Sequence, residues 1–308
     1  MAPAPLTDAD VPRFAATLDL PGLVDVHTHF MPEQVLRKVW AYFGRAREPD
    51  GSPLWPVRYQ TDEATRLATL RALGVRRFTS LCYPHKPGMA AWLNAWTRDF
   101  AAAHPDCAHS ATFFAEDTAD RDVADAVEAG ARIFKAHLQV GGYDPRDHRL
   151  APVWTRLARK GLPVVIHAGS GPEPGAFTGP GPTGEVLRRH PDLRLVIAHA
   201  GGPEYTEFLD LALRFEHVLL DTTMAFTDFL DRLSPRPAGY DERVLAHPER
   251  FVLGSDFPNI PYPYAHQLEA LVRLGADDHW LRRVCWDNGQ RLLGAALPED
   301  EPVGGAGR

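Results

Sequence analysis

A pair of histidines at the end of an apolar run is the first feature of this sequence that could do chemistry. His27 and His29 follow Val24-Asp25-Val26, and side chains along a strand alternate between its two faces. The two imidazoles are therefore expected to point the same way, at a spacing that lets both reach one ion. Taken alone, the pair is explained equally well by polar side chains that hydrogen-bond to backbone groups.

Later apolar runs end in residues that bind metals or transfer protons. The runs that end at His167, His199 and Asp256 are rich in Val, Ile and Leu, and in a further run Lys135 and His137 share one face. If these runs are strands of one parallel barrel, their carboxyl ends converge on a single cleft. The sequence therefore predicts one cluster of imidazole, carboxylate and ammonium groups.

The elements that must position these groups are short apolar runs, most of them separated by amphipathic stretches long enough for a helix. Eight such runs cover residues 23–27, 75–82, 108–114, 132–137, 163–167, 193–199, 218–221 and 251–256. Eight βα units predict an α/β fold, a closed (β/α)8 TIM barrel in a single domain. A doubly wound open sheet is the alternative, because strand order is not visible in the sequence.

The barrel domain is expected to span residues 21–295. Residues 1–20 would form an N-terminal arm or a short preceding helix, and the Gly-rich residues 296–308 a flexible tail. Two long connections are expected to cover the barrel mouth. They are a loop insertion after strand 1 at residues 30–60 and a Gly/Pro-rich segment at residues 169–182. The insertion is aromatic, with Trp40, Tyr42, Phe43 and Trp55.

Composition excludes some classes of partner and location. A net charge of −7 and a pI near 6.0 give no basic surface for nucleic acid. Cys82, Cys107 and Cys285 are widely spaced and form no CxxC pair, which argues against a disulfide framework or a thiolate zinc site. No stretch approaches the roughly 18 apolar residues of a membrane span. We expect a cytoplasmic protein with no nucleic-acid or membrane partner.

The order of these residues is similar to that of the amidohydrolase superfamily: HxH, a lysine on strand four, then histidine, histidine and aspartate. Finer details resemble its amidohydrolase 2 branch, which also contains aminocarboxymuconate-semialdehyde decarboxylase. The resemblance extends from about residue 23 to residue 293 and includes Gly254-Ser255-Asp256-Phe257-Pro258 and the closing segment 287–293. It is specific for the superfamily and weak for the substrate.

The resemblance implies that His27, His29, His167 and Asp256 bind one divalent metal ion, for which zinc is expected, and leave a position for water. Zinc lowers the pKa of a bound water to about 7, so that hydroxide is available at neutral pH. Asp256 would take the proton from this water and pass it to the leaving group. His199 would position or deprotonate the water, or polarise a substrate carbonyl.

Lys135 has two possible states in such a site. A carboxylated Lys135 would bridge two metals and make His199 a ligand of the second, whereas an ammonium would bind a substrate carboxylate or carbonyl. We expect the ammonium, because the branch that the sequence resembles typically has a mononuclear site.

Further polar residues near the strand ends are candidates for substrate contacts. They are His137, which a strand-end hydrogen bond explains equally well, Tyr83 and His85 after the second strand, and Glu173 in the Gly/Pro-rich segment. Asp221 ends the seventh strand, where it could orient a metal ligand or cap the next helix.

Two reactions fit this set of residues. The first is hydrolysis of a small amide, ester or lactone by a zinc-activated water, and the alternative is nonoxidative decarboxylation of an aromatic or unsaturated acid. A decarboxylase usually needs a cation for the departing carboxylate. Apart from Lys135 no strand ends in such a residue, since Arg132 falls on the other face, and this favours hydrolysis.

Two other classes are less well supported. A TatD-like nuclease would carry a metal-bridging glutamate where this chain has Lys135, and a non-catalytic barrel would be expected to lack a ligand, whereas none is missing. We therefore expect a small-molecule substrate. The aromatic insertion offers a surface for a homodimer or a lid.

Overall fold

The computed structural model describes residues 2–294, so the tail predicted at 296–308 lies outside the described residues. Within that range the chain forms nine short parallel strands. They are β1 (Leu23–Asp25), β2 (Val75–Thr79), β3 (Cys107–Ala108), β4 (Ser110–Thr112), β5 (Ile133–His137), β6 (Val164–His167), β7 (Leu195–Ile197), β8 (Val218–Asp221) and β9 (Phe251–Val252).

The strands close into a barrel. β1, β2 and β3 pair in that order, and β4 to β9 pair consecutively. β3 and β4 are two pieces of one predicted strand, interrupted at His109. The last strand returns to the first, where Val26 N donates to Leu253 O (3.0 Å) and Asp256 N donates to His27 O (2.8 Å). The architecture is the eight-stranded α/β barrel that the sequence predicts.

Each barrel strand is followed by at least one helix. In chain order the helices are α1 (Val11–Thr17), α2 (Glu33–Phe43), α3 (Glu63–Ala72), α4 (Ala90–Ala103), α5 (Ala119–Glu128), α6 (Leu138–Gly141), α7 (Ala151–Lys160), α8 (Pro180–Arg189), α9 (Tyr205–Arg214), α10 (Asp228–Leu233), α11 (Tyr240–Leu245), α12 (Tyr264–Arg273), α13 (Asp278–Arg282) and α14 (Asn288–Leu293). None of the described helices is long and apolar enough to cross a membrane.

The interior of the barrel is divided along its axis. Towards the N-terminal ends of the strands it is filled by aliphatic side chains, and Leu292 and Leu293 of α14 pack into the same cluster. Ile133 lies two residues before Lys135 and Val165 two residues before His167, so the same strand faces become polar at their C-terminal ends. The apolar cluster thus supports the polar groups at the mouth.

A second, larger core lies between the strands and the helices. It includes the N-terminal region, where Val11, Phe14 and Leu18 are buried. α1 of the predicted arm therefore packs on the barrel. Cys82, Cys107 and Cys285 are buried free thiols, as expected from their spacing.

The predicted insertion after strand 1 contains α2 and an aromatic cluster in which Phe43 stacks on Trp55 with ring centroids 4.7 Å apart. Some strands end earlier than predicted. His199 lies in a turn after β7 and Asp256 four residues beyond β9, with backbone φ angles of 55° and 69°. These left-handed angles cannot continue an extended strand, so the chain turns at both residues.

Candidate metal centre

Four histidines from three strand ends form one continuous cluster at the barrel mouth. The ring centroid of His27 lies 5.0 Å from that of His29 and 5.3 Å from that of His199. The ring centroid of His199 lies 4.9 Å from that of His167. The structure therefore brings together the predicted histidine ligands and His199.

Asp256 joins this cluster from the turn after β9. Its Oδ1 lies 2.8 Å from His29 Nε2 and 3.6 Å from His27 Nε2. His27, His199 and Asp256 each offer a ligand atom within 4.8 Å of the others, which is close enough for one ion to be shared. This group contains two predicted ligands and His199, which the sequence predicted as a catalytic residue; it does not contain the predicted ligands His29 and His167.

The three histidines predicted as ligands each donate one ring N–H to an oxygen outside the cluster. These bonds run from His27 Nδ1 to Asp221 Oδ2 (2.8 Å), from His29 Nδ1 to Leu81 O (2.7 Å) and from His167 Nε2 to Gly171 O (3.0 Å). A carbonyl only accepts, so the ring nitrogen facing it must carry the proton. The other nitrogen of a neutral imidazole then keeps its lone pair, as a metal ligand requires.

Burial keeps the histidines neutral. It is the main cause that lowers the pKa of His27 to about 4, of His167 to about 3 and of His199 to about 4. Burial opposes ionisation of Asp256, but attraction to His29 and the other imidazoles outweighs it and holds the pKa of this carboxyl well below its usual range. At neutral pH His27, His167 and His199 are therefore neutral and Asp256 is an ionised carboxylate, and such donors suit a divalent cation.

Asp221 supports two histidines at once. Its Oδ2 accepts from His27 Nδ1, and its Oδ1 accepts from the backbone N–H groups of His199 (2.8 Å) and Thr223 (3.1 Å). Burial opposes its ionisation, yet His27 lowers the pKa of this carboxyl to about 2. Asp221 therefore orients a candidate ligand, one of the two roles considered for it. It does not cap the next helix, because α10 begins at Asp228 with Thr227 as its N-cap, and Asp221 instead accepts from Thr223 N in the turn after β8.

Lys135 lies inside the cluster. Its side chain is fully buried, and Nζ lies 3.0 Å from His27 Nε2, the nitrogen that would face a metal ion. Burial lowers the pKa of Lys135 to about 8, while Asp221 and Asp256 favour the charged form. Asp221, Asp256 and the Lys135 ammonium together carry a net negative charge, which also suits a cation.

His137 packs against the cluster. Its Nδ1 accepts from Val140 N (3.3 Å), so the neutral ring carries its proton on Nε2. The ring stacks on His167 with centroids 4.1 Å apart. His137 thus makes the strand-end hydrogen bond considered for it and still carries an N–H donor on Nε2 beside His167.

The remaining candidate substrate contacts differ in position. The Tyr83 ring lies 4.7 Å from that of His137 and 5.6 Å from that of His29, and burial raises the pKa of its phenol, which stays protonated. His85 and Glu173 are exposed. Neither shares a hydrogen bond, ion pair or ring contact with the cluster within residues 2–294. Their roles stay predictions.

Contacts between two loops hold His167 in place. A Cβ atom on Gly169 would lie 2.4 Å from Gly202 O, so the close approach of the two backbones requires glycine there. Ser170 N donates to Glu204 Oε2 (3.0 Å), and Gly171 N donates to Gly202 O (3.3 Å). The loop that supplies the carbonyl for His167 is thus fixed by the segment that follows His199.

Solved structures similar to this chain are TIM-barrel proteins. An uncharacterised TIM-barrel protein from Bordetella bronchiseptica matches with a TM-score of 0.69 and 20% identity, over 88% of this chain and 98% of that one. A protein described as a 2-pyrone-4,6-dicarboxylic acid hydrolase, from Pseudomonas putida, matches with a TM-score of 0.61 and 17% identity, over 90% and 99%. At these identities the likeness shows the fold.

A third similar structure is 5-carboxyvanillate decarboxylase from Novosphingobium aromaticivorans in complex with manganese. Its TM-score is 0.59 at 15% identity, over 89% of this chain and 96% of that one. A search of curated protein sequences gave no match. The amidohydrolase family model matches residues 24–295, which is most of the sequence and includes every residue of the cluster. The chain therefore belongs to the amidohydrolase 2 family.

Proposed function

We propose that this protein is a metal-dependent hydrolase that cleaves a small amide, ester or lactone. The family contains metal-dependent hydrolases and decarboxylases, so an enzyme is expected. The observation that carries the proposal is the orientation of His27, His29 and His167. Each donates one N–H to an oxygen away from the other histidines, so its second ring nitrogen can bind a metal ion, and Asp256 Oδ1 lies 2.8 Å from His29 Nε2 and 3.6 Å from His27 Nε2.

The residues present fit a divalent metal ion. His27 Nε2, His29 Nε2, His167 Nδ1 and an Asp256 carboxylate oxygen would hold it, and zinc is the metal we propose for this set of nitrogen and oxygen donors. When bound, the ion supplies Lewis-acid activation of a water molecule.

The protein's own groups supply the proton transfers. The Asp256 carboxylate accepts the proton of the attacking water and returns it to the leaving group. Neutral His199 lies beside it and orients the water or a substrate carbonyl. His137 Nε2–H and the Tyr83 hydroxyl are donors placed to bind a second substrate oxygen, a role for which their position at the mouth is the support.

Decarboxylation is the second candidate, and the buried Lys135 favours it because it is a cation within the cluster. Hydrolysis remains preferred because no arginine within residues 2–294 makes a hydrogen bond or ion pair to a cluster residue. Arg132 is exposed and precedes β5 at the opposite end of the strand.

We further propose a small-molecule substrate and a cytoplasmic location. The buried, nearly closed position of the cluster supports a small substrate, and the three free cysteines suit a reducing compartment. The net charge of −7 disfavours nucleic acid. A homodimer through the aromatic insertion stays a proposal, to be tested by sedimentation.

The test is metal analysis of the purified protein, followed by a screen of esters, lactones, amides and aromatic acids with and without a chelator. The proposal expects about one bound ion per chain and chelator-sensitive hydrolysis. Release of carbon dioxide from an aromatic acid, with no hydrolysis of any ester, lactone or amide, would show the decarboxylase instead. Protein that neither retains nor takes up a divalent metal contradicts both.

A further inference from the structure

Among the contacts between the aromatic insertion and the barrel, two converge on one residue, Asn259. The Trp40 indole N–H donates to Asn259 Oδ1 (3.0 Å), and the Trp55 indole N–H donates to Asn259 O (2.7 Å). Asn259 is 2% exposed, and Trp55 is 9% exposed. Two tryptophans from the insertion thus donate to the side chain and the main chain of one buried residue.

Asn259 also closes the turn that presents Asp256. Its backbone N–H donates to Asp256 O (2.8 Å), and Asp256 N donates to His27 O (2.8 Å). Asp256 has a φ of 69°, a left-handed angle that costs free energy for a residue with a Cβ and persists where surrounding contacts enforce it. The turn is therefore held at one end by the HxH strand and at the other by Asn259.

The partners of Asn259 are themselves fixed. The Arg66 guanidinium lies 5.3 Å from the centroid of the Trp40 ring. Trp55 packs between Phe43 and Phe229, with ring centroids at 4.7 Å and 4.8 Å. These contacts fix the orientation of both indoles. A change in the position of the insertion would therefore displace Asn259, and with it the turn, through the two hydrogen bonds.

We infer that Asn259 is a positioning residue that couples the insertion to Asp256 and thereby raises the affinity of the site for its metal. The inference rests on the proposed metal site for its metal readout. Loss of a group that hydrogen-bonds to a metal ligand typically lowers metal affinity tenfold or more, and Asn259 hydrogen-bonds to the main chain of the proposed ligand Asp256. The two hydrogen bonds can be tested separately. Substitution of Asn259 removes the bond from Trp40 to its side chain and keeps the bond from Trp55 to its main-chain carbonyl.

The experiment is a double-mutant cycle with Asn259→Ala, Trp40→Phe and the combination, in the full chain. The zinc dissociation constant, from competition with a chromophoric chelator, is expected to rise about tenfold in each single variant. The double variant should be no weaker than the singles, because all three lack the same bond. Asn259→Asp retains an oxygen acceptor for the indole and should restore most of the affinity.

Amide hydrogen exchange of the metal-free protein gives a readout that needs no metal. Protection of the amides of residues 256 and 259 should fall about fivefold to tenfold in Asn259→Ala, as the loss of one hydrogen bond implies. Trp154→Phe is the matched control, since its indole N–H donates to Pro145 O (2.8 Å) away from the site. It should leave both readouts unchanged.

The outcomes separate this inference from the proposed function. Unchanged exchange in Asn259→Ala overturns the coupling, whatever the metal does. Equal effects in Trp154→Phe overturn it as well, because they would reflect general loss of stability. Wild-type protein that binds no zinc refutes the metal site, and altered exchange at residues 256 and 259 would then still support a positioning role for Asn259 towards Asp256.

Discussion

The two ends of the barrel interior use the same strand faces for opposite purposes. At the N-terminal ends Val24, Ile133, Val165 and Val252 form an apolar cluster. At the C-terminal ends the interior holds imidazoles, Asp256 and a buried ammonium, with most of these groups less than 10% exposed. Apolar burial stabilises the fold, whereas buried charges cost stability unless they are paired. The C-terminal end of the interior, the mouth, is therefore arranged for chemistry, and the N-terminal end, here called the floor, for stability.

β5 shows this contrast within one strand. Ile133, Lys135 and His137 lie on one face, and each is less than 10% exposed. Ile133 packs in the aliphatic cluster, while Lys135 Nζ contacts His27 Nε2. Substitutions at the two ends should therefore affect different measurements, with activity and metal affinity at the mouth and the free energy of unfolding at the floor.

Asp256→Asn gives the largest expected effect. The variant loses the carboxylate that binds the metal and transfers the proton, so turnover of whichever substrate the screen identifies should fall about 1000-fold or more. The melting temperature should change little. Asp210→Asn is the control, since this exposed residue pairs with Arg243 on the outside of the barrel. Full activity in Asp256→Asn would show that the reaction does not take place at the barrel mouth.

Ile133→Ala tests the floor. Removing a fully buried aliphatic side chain should lower the free energy of unfolding by about 3 kcal/mol, measured by urea denaturation, with one metal ion retained. Lys135→Met, two residues along, should lower the free energy of unfolding of the metal-loaded protein by less, because the bound cation still compensates Asp221 and Asp256. Equal destabilisation by both changes would contradict the division between floor and mouth.

Asp221→Asn is expected to weaken metal binding while the fold persists. The amide can present its N–H to His27 Nδ1, which would move the proton to Nε2, the nitrogen that should accept a metal. The metal dissociation constant, from chelator competition, should rise about 10-fold to 100-fold. An unchanged constant would mean that Asp221 serves only the backbone N–H groups of His199 and Thr223.

Lowering the pH is expected to give the smallest effect, a partial loss of the free energy of unfolding. His27, His167 and His199 have pKa values of about 4, 3 and 4 in the folded protein, against 6.5 in the unfolded chain. Between these values the unfolded chain binds more protons, so stability falls as the pH drops below about 6.5 and is unaffected by these groups above it. In metal-free protein, the loss of unfolding free energy from pH 7 to pH 5 should be smaller in His199→Asn. An equal loss in that variant would contradict the buried, neutral state of His199.

Much of the fold and part of the site follow from the sequence. Periodicity and strand count predict the barrel, because each βα unit buries its own apolar face. The HxH pair, His167, His199 and Asp256 are visible as polar residues at the ends of apolar runs, and barrel closure brings them together.

The missing parts depend on backbone geometry and on contacts across the chain. The carbonyls of Leu81 and Gly171 orient histidines, yet a carbonyl has no residue-type signal. Asn259 could not be selected, because its partners Trp40 and Trp55 lie about 200 residues earlier in the chain. The break at His109 and the left-handed turn at His199 likewise have no signature in the apolar pattern.

The central claim is that His27, His29, His167 and Asp256 hold one metal ion, and a crystal structure of the zinc-loaded protein with anomalous data at the zinc edge tests it most directly. The account predicts one peak, about 2.0–2.1 Å from His27 Nε2, His29 Nε2 and His167 Nδ1 and at a similar distance from an Asp256 oxygen. A peak elsewhere, or His167 turned away from a bound ion, would contradict it.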